Sequence, residues 1–268
     1  MTAMIVLFTD FGALDPYVGQ LKAALVREAP AGTALIDLLH EAPRFDVASG
    51  AHLLAALHTA FPAGSIFVCV VDPGVGAARA AALVRADDKW FVGPDNGLLS
   101  VLAARATGAE TWQVSWRPPG LSASFHARDL FAPIAAALAR GEFPAARVRP
   151  VHGLDVRLPA GDLAQVIYID HYGNAMTGLR AGSLAHDREL EVAGRRLAYT
   201  RIFAEAPAGQ PFWYDNSIGL IELAIERASA AAALGLRIGD AVTACAAAGA
   251  RGHAASTPMP KPGSSSPQ

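Results

Sequence analysis

Over its first 150 residues the chain alternates short β-rich apolar runs with longer Ala/Leu-rich stretches of helical periodicity. A mostly parallel sheet covered by helices buries both kinds of segment at once. Strands are expected at Met4–Thr9, Ala34–Leu39, Ser65–Val71, Ala81–Val84, Trp90–Val92 and Thr111–Val114. Between them, Pro16–Arg27, Asp46–Ala60, Asn96–Ala106 and Leu130–Arg140 carry apolar residues three and four apart, the spacing of one helix face. Asp46 and Asn96 stand where N-caps belong. Beyond about Arg149 the texture changes. Gln165–Ile169, Glu189–Val192 and Asp240–Ala244 are short alternating runs between Gly and Asp turns, which suggests a smaller, mainly β unit. The expected organisation is an N-terminal α/β domain over 1–150, a linker over 151–163, a C-terminal β domain over 164–248 and a disordered Pro/Ser/Gly/Ala-rich tail over 249–268.

Composition narrows the function classes. With 268 residues, 52% apolar and 17% charged, the chain can bury one large core or two modest ones. A net charge of −2 lacks the basic excess that nucleic-acid binding draws on, so no nucleic-acid partner is expected. Mean hydropathy is positive at +0.29, yet the apolar runs are short and broken by charge, as where Ser65–Val71 meets Asp72. None reaches the roughly 20 residues of a spanning helix, so no membrane partner is expected either. Met1–Asp10 has no basic region before its apolar run and does not read as a signal peptide. The two cysteines, Cys69 and Cys245, support neither a disulfide framework nor a zinc site. A cytoplasmic protein without a metal is the expectation.

Four short motifs could carry chemistry. The first strand ends in Thr9-Asp10-Phe11-Gly12, and a carboxylate at a strand's carboxyl end can accept hydrogen bonds from a ligand's hydroxyls, such as a ribose diol. The same Asp could instead cap a helix or close a turn. Asp-Phe-Gly as a kinase magnesium motif fails, because only nine residues precede Asp10. Next, Val71-Asp72-Pro73-Gly74-Val75-Gly76, with Arg79 beyond, follows an apolar strand and reads either as an active-site corner or as a plain turn with an ion pair. A phosphate-binding loop is not indicated, since Lys-Ser/Thr is missing. In Phe125-His126-Ala127-Arg128-Asp129, a histidine beside Arg and Asp at a helix entrance can be held in one tautomer for acid/base work; it can equally be a structural histidine. Finally, Asp170-His171-Tyr172-Gly173-Asn174 and Trp213-Tyr214-Asp215-Asn216-Ser217 each set an amide or carboxylate beside an aromatic ring, suited to a planar base or an amino-acid head group, and both also fit hairpin turns.

Together with Gly93-Pro94-Asp95-Asn96-Gly97, and in this order from about Ile5 to about Ala244, these motifs resemble the S-adenosyl-L-methionine hydroxide adenosyltransferases, relatives of the fluorinating and chlorinating enzymes that act on the same substrate. The resemblance implies a C-terminal β-barrel-like domain and a homotrimer whose sites form between the N-terminal domain of one subunit and the C-terminal domain of the next. It implies a hydrolase that uses water to split S-adenosyl-L-methionine into adenosine and L-methionine, with that molecule as substrate and no cofactor. By the same resemblance Asp72, Arg79 and His126 form the polar triad that orients and activates water. Asp10 holds the ribose hydroxyls, and Phe45 is a hydrophobic wall that is a tryptophan in the halogenating relatives. Asp170 and Ser217 grip the methionine amine and carboxylate, Asn174 reads the adenine edge, and Tyr172 and Phe203 pack around the base; Asn216 belongs to the same matching motif as Ser217. One departure lies after Gly219, where Ala224–Ala230 reads as a helix in place of an expected Asn- or Gly-containing turn.

Three other functions remain in view. A halogenase of the same superfamily would bind a bare anion, which Asp72 would repel. A calcium-dependent nucleoside hydrolase would release adenine, and a non-catalytic adenosine or S-adenosyl-methionine binding module would release nothing.

Overall fold

The computed structural model describes residues 3–77 and 79–246; the expected disordered tail, 249–268, lies outside them. Strands β1 (Met4–Thr9), β2 (Ala34–Leu39), β3 (Ile66–Val70), β4 (Ala81–Ala86), β5 (Lys89–Pro94), β6 (Glu110–Val114) and β7 (Val148–Val151) form one sheet in the order β2-β1-β3-β5-β4-β6-β7. The first four in that order are mutually parallel, whereas β4 runs antiparallel to both β5 and β6, and β7 antiparallel to β6. Side chains alternate across β1 as the period of a strand requires. Val6 and Phe8 pack with Phe67, Phe91, Leu53, Leu54 and Leu102 under helices α2 (Val47–Leu57) and α3 (Ser100–Arg105). Ile5 and Leu7 pack on the other face with Leu21, Leu25 and Ile134 under α1 (Pro16–Glu28) and α4 (Ala132–Ala139). The result is a sheet between two helical layers.

The second sheet contains β8 (Leu163–Ile169), β9 (Ala175–Arg180), β10 (Arg188–Val192), β11 (Arg195–Tyr199), β12 (Pro211–Asp215), β13 (Leu220–Ile225) and β14 (Thr243–Ala246), in the order β14-β10-β11-β12-β13-β9-β8. Residues 239–242, just before β14, bond to β8 through Gly239 N–H to Val166 O, Val166 N–H to Asp240 O and Val242 N–H to Ala164 O. The sheet thereby curls toward closure, which relieves its exposed edges. Trp213 fills the interior, its indole N–H donating to Arg188 O. The expected strand at Asp240–Ala244 is thus divided between the β8 contact and β14. The link over 152–162 is packed against the first domain, with Leu158 N–H on Ser100 Oγ and Arg105 on Ala160 O.

Two local expectations are corrected. The helix expected over Asn96–Ala106 is confined to α3, because Asn96 is drawn into a turn, donating to Val71 O and accepting from Leu98 N–H; Gly97 follows at φ +104°. Asp46, by contrast, caps α2 by accepting from Ser49 N–H. The stretch Ala224–Ala230 is no helix. β13 runs to Ile225, the chain turns through Arg227 at φ +56°, and a short helix α5 (Ala230–Leu234) begins beyond Ser229. Among the described residues no helix is long and apolar enough to cross a membrane.

Candidate active site

Strand order places the first cluster. From β1 the chain crosses to β2 on one side through α1 and returns to β3 on the other through α2, on the opposite face of the sheet. A crevice opens outside the carboxyl ends of two such strands. Asp10 follows β1 and Asp72 lies just beyond β3, and Asp10 N–H donates to Val70 O at 3.1 Å, so the two carboxylates stand side by side. His126 comes to the same edge at the start of a single π-helical turn, Ala127–Phe131, which precedes α4. These π turns recur at functional sites because the extra residue re-aims a side chain. Asp10, Asp72 and His126 line one small cavity of about 60 Å³, walled by Phe11 and Phe125. A space of this size and polarity admits water.

Behind this cavity Arg79 grips Asp72 with both arms of its guanidinium, Nε to Oδ1 at 2.8 Å and Nη2 to Oδ2, while Nη1 donates to Ala80 O. The Asp72 side chain is only 5% exposed. Burial is the main reason His126 titrates below the usual imidazole value of 6.5; the Arg79 charge adds to it and Asp72 opposes it. Burial likewise raises Asp10, and the neighbouring Asp72 raises it further, against a hydrogen bond from the Phe45 backbone N–H. Phe45 is 76% exposed and held at φ +62°, a conformation an aromatic residue seldom adopts. Its backbone N–H serves Asp10, and the ring is left to solvent. The expected tautomer clamp on His126 is not formed. Arg128 and Asp129 pair with each other, at 2.6 and 2.8 Å, and Asp129 accepts from Ser122 N–H.

A second, larger cavity of about 640 Å³ opens on the β domain and gathers Asp170, Tyr172, Asn174, Phe203, Asn216 and Ser217. Its volume suits a nucleoside-sized ligand. Asp170 Oδ1 accepts from Tyr172 and Asn174 N–H, closing the turn that carries both. Gly173 completes it at φ +81°, where a β-carbon would collide with Ser229. Gly173→Ala should therefore cost roughly 2 kcal/mol or more of stability, read from the midpoint of denaturant unfolding. The Asn216 side chain is largely spent within the protein: Oδ1 accepts from Ile218 and Leu220 N–H, and Nδ2 donates to Glu222. It shapes the turn that presents Ser217.

Glu222 lines this cavity and escaped the sequence reading. It is 2% exposed in a strand whose six residues are all buried. Burial raises its pKa, against hydrogen bonds from Asn216, Tyr214 and Asn174. The signal available was a lone carboxylate in the apolar run Leu220-Ile221-Glu222-Leu223-Ala224-Ile225.

The two cavities share no lining residue, and Arg79 and Phe45 line neither. Within one chain the predicted residues therefore form two groups. Among the described residues no cluster of three or more His, Cys, Asp or Glu is placed to hold a metal.

Residues 5–148 match the SAM hydroxide adenosyltransferase N-terminal domain and residues 164–243 its C-terminal domain. An (R)-S-adenosyl-L-methionine hydrolase of Thermus thermophilus is 39% identical over 86% of this chain and 95% of its own. A fluorinase of Actinoplanes is 28% identical over 90% and 96%. An uncharacterized conserved protein from Thermotoga maritima superposes with a TM-score of 0.81 at 29% identity, covering 90% of this chain and 100% of that one. The chain belongs to the SAM hydroxide adenosyltransferase family.

Proposed function

We propose that the protein hydrolyses S-adenosyl-L-methionine to adenosine and L-methionine. The observation that carries this is the water-sized cavity lined by Asp72 and His126, with Arg79 fixing Asp72 from behind. Greater similarity to a hydrolase than to a fluorinase points the same way. A bare halide would meet the Asp72 carboxylate directly in so small a space, which disfavours it as the nucleophile.

Water attacks C5′ in line with the sulfonium. The C5′–S bond breaks with its electron pair going to sulfur, so methionine leaves as a neutral thioether and the ligand's positive charge is lost. Both Asp72 oxygens already accept from Arg79, and no hydrogen bond among the described residues engages the His126 ring, so His126 is the freer acceptor for the water's proton. Asp72 orients the water. Asp10 accepts from the ribose hydroxyls, Phe45 walls the reacting carbon, Asp170 and Ser217 bind the methionine head group, and Asn174, Tyr172 and Phe203 hold adenine. No metal or cofactor takes part. Reaction in oxygen-18 water, followed by mass spectrometry, tests the whole reading. Adenosine labelled at the 5′-hydroxyl is expected, at a rate unaffected by chelator; unlabelled adenosine, free adenine or no turnover refutes it.

His126 must be neutral to accept a proton. Its pKa is held below 6.5, so kcat/KM should be level at neutral pH and fall as pH drops through an inflection below 6.5. In the residual activity of His126→Gln that acid limb should be missing. A limb that persists in the variant assigns the titration to another group.

The residues assigned to one substrate fall in two cavities that share no lining residue within a chain. A homotrimer in which neighbouring subunits each supply one cavity reconciles these facts. Two unpaired cysteines, Cys69 and Cys245, suit a reducing compartment, and we place the protein in the cytoplasm.

A further inference from the structure

The buried carboxylate in the β-domain cavity has no part in the chemistry above. Glu222 stands directly across from Tyr214 on β12 and from Met176 on β9, so the three side chains lie in one row on the cavity face. Burying a carboxyl there is costly unless donors surround it. Asn216 Nδ2 donates to it at 2.7 Å, and the Tyr214 hydroxyl, directly across on β12, and the Asn174 amide, two residues before Met176, face it on the same cavity wall.

Their polarity runs one way. The backbone N–H groups of Ile218 and Leu220 can only donate, so Asn216 must turn its oxygen to them and its NH2 to Glu222. Asn174 in turn faces two carboxyls, donating from Nδ2 to Asp170 Oδ2 at 3.2 Å while Glu222 draws on the same amide. With its NH2 committed to these acceptors, Asn174 has only its carbonyl oxygen left for a ligand. That oxygen accepts hydrogen bonds and cannot donate. An exocyclic amino group matches it; an oxo group at the same place would set two acceptors against each other, a mismatch that discriminates strongly in a buried site.

We propose that Glu222 is a positioning residue which, by fixing the direction of the Asn174 amide together with Asp170, makes the cavity select a 6-aminopurine over a 6-oxopurine. This rests on the assignment of Asn174 to the base edge. A glutamine at 222 can donate to Asn174 Oδ1 and so let the amide turn round, which relaxes the selection without emptying the space.

The test compares S-adenosyl-L-methionine with its deaminated analogue, S-inosyl-L-methionine. The wild-type protein should prefer the former in kcat/KM by at least about a hundredfold, and Glu222→Gln should lower that ratio by about tenfold or more, chiefly through KM. A merely structural Glu222 would lower both substrates' rates together and leave the ratio alone. That result overturns the proposal. Should Glu222→Gln fail to fold, Glu222→Asp decides: drawn back by one methylene from Asn174, it should lower the same kcat/KM ratio, and an unchanged ratio in the folded variant overturns the proposal. Failure of the hydrolase reading looks different, since neither S-adenosyl-L-methionine nor its analogue would then be turned over.

Discussion

Replacing Asp72 with alanine is expected to lower kcat by about two to four orders of magnitude while KM changes by less than about tenfold. Two consequences of one deletion add up. Asp72 both pairs with Arg79 and lines the water-sized cavity, so its loss would remove the acceptor proposed to hold the attacking water in line. It also leaves the Arg79 guanidinium, whose side chain is 13% exposed, without its carboxylate partner. With Asp72 gone, the Arg79 charge acts unopposed on His126 and disfavours its taking up the water's proton. Steady-state kinetics on the variant, with circular dichroism to verify folding, decide the matter. If KM rises a hundredfold and kcat holds, Asp72 binds substrate and the attacking water is positioned by another residue.

The places of Asp10 and Asp72 at one sheet edge were legible in the chain because they obey local rules. β1 and β2 end where the apolar runs end, and an aspartate straight after an apolar strand of a parallel sheet falls at the ligand edge whatever the packing above it. Elements whose form depends on distant partners were harder to read. Asn96-Gly97 looked like a helix start because an N-cap signal is local, whereas the hydrogen bond from Asn96 to Val71 O that converts it into a turn joins residues 25 apart. Ala224–Ala230 looked helical because alanine favours helices and a strand with every residue buried shows no period of two. Glu222 falls in that same stretch of missing periodicity, and only the pairing of β12, β13 and β9 brings it beside Tyr214 and Asn174. Arg128 and Asp129, two and three residues after His126, suggest a clamp on it in the sequence; in the π turn they pair with each other, and Arg128 also donates to Gln20.

Mixing two inactive variants should restore activity, and the extent of recovery is set by geometry. Asp72→Ala spoils the water cavity and leaves the base cavity whole; Asn174→Ala does the reverse. In the proposed homotrimer each variant alone lacks one essential group at every site, and activity should fall to near background. When equal amounts are unfolded together and refolded, subunits assort at random. A site is intact where a chain with a sound α/β domain meets a chain with a sound β domain, which happens at about one interface in four. Recovery of about a quarter of wild-type activity is therefore expected, and it should track the fraction of mixed oligomers as the input ratio is varied. If each site were built within a single chain, every site would carry one defect at any ratio and no mixture could recover. Light scattering of the wild-type protein completes the test: a fully active monomer would exclude sharing.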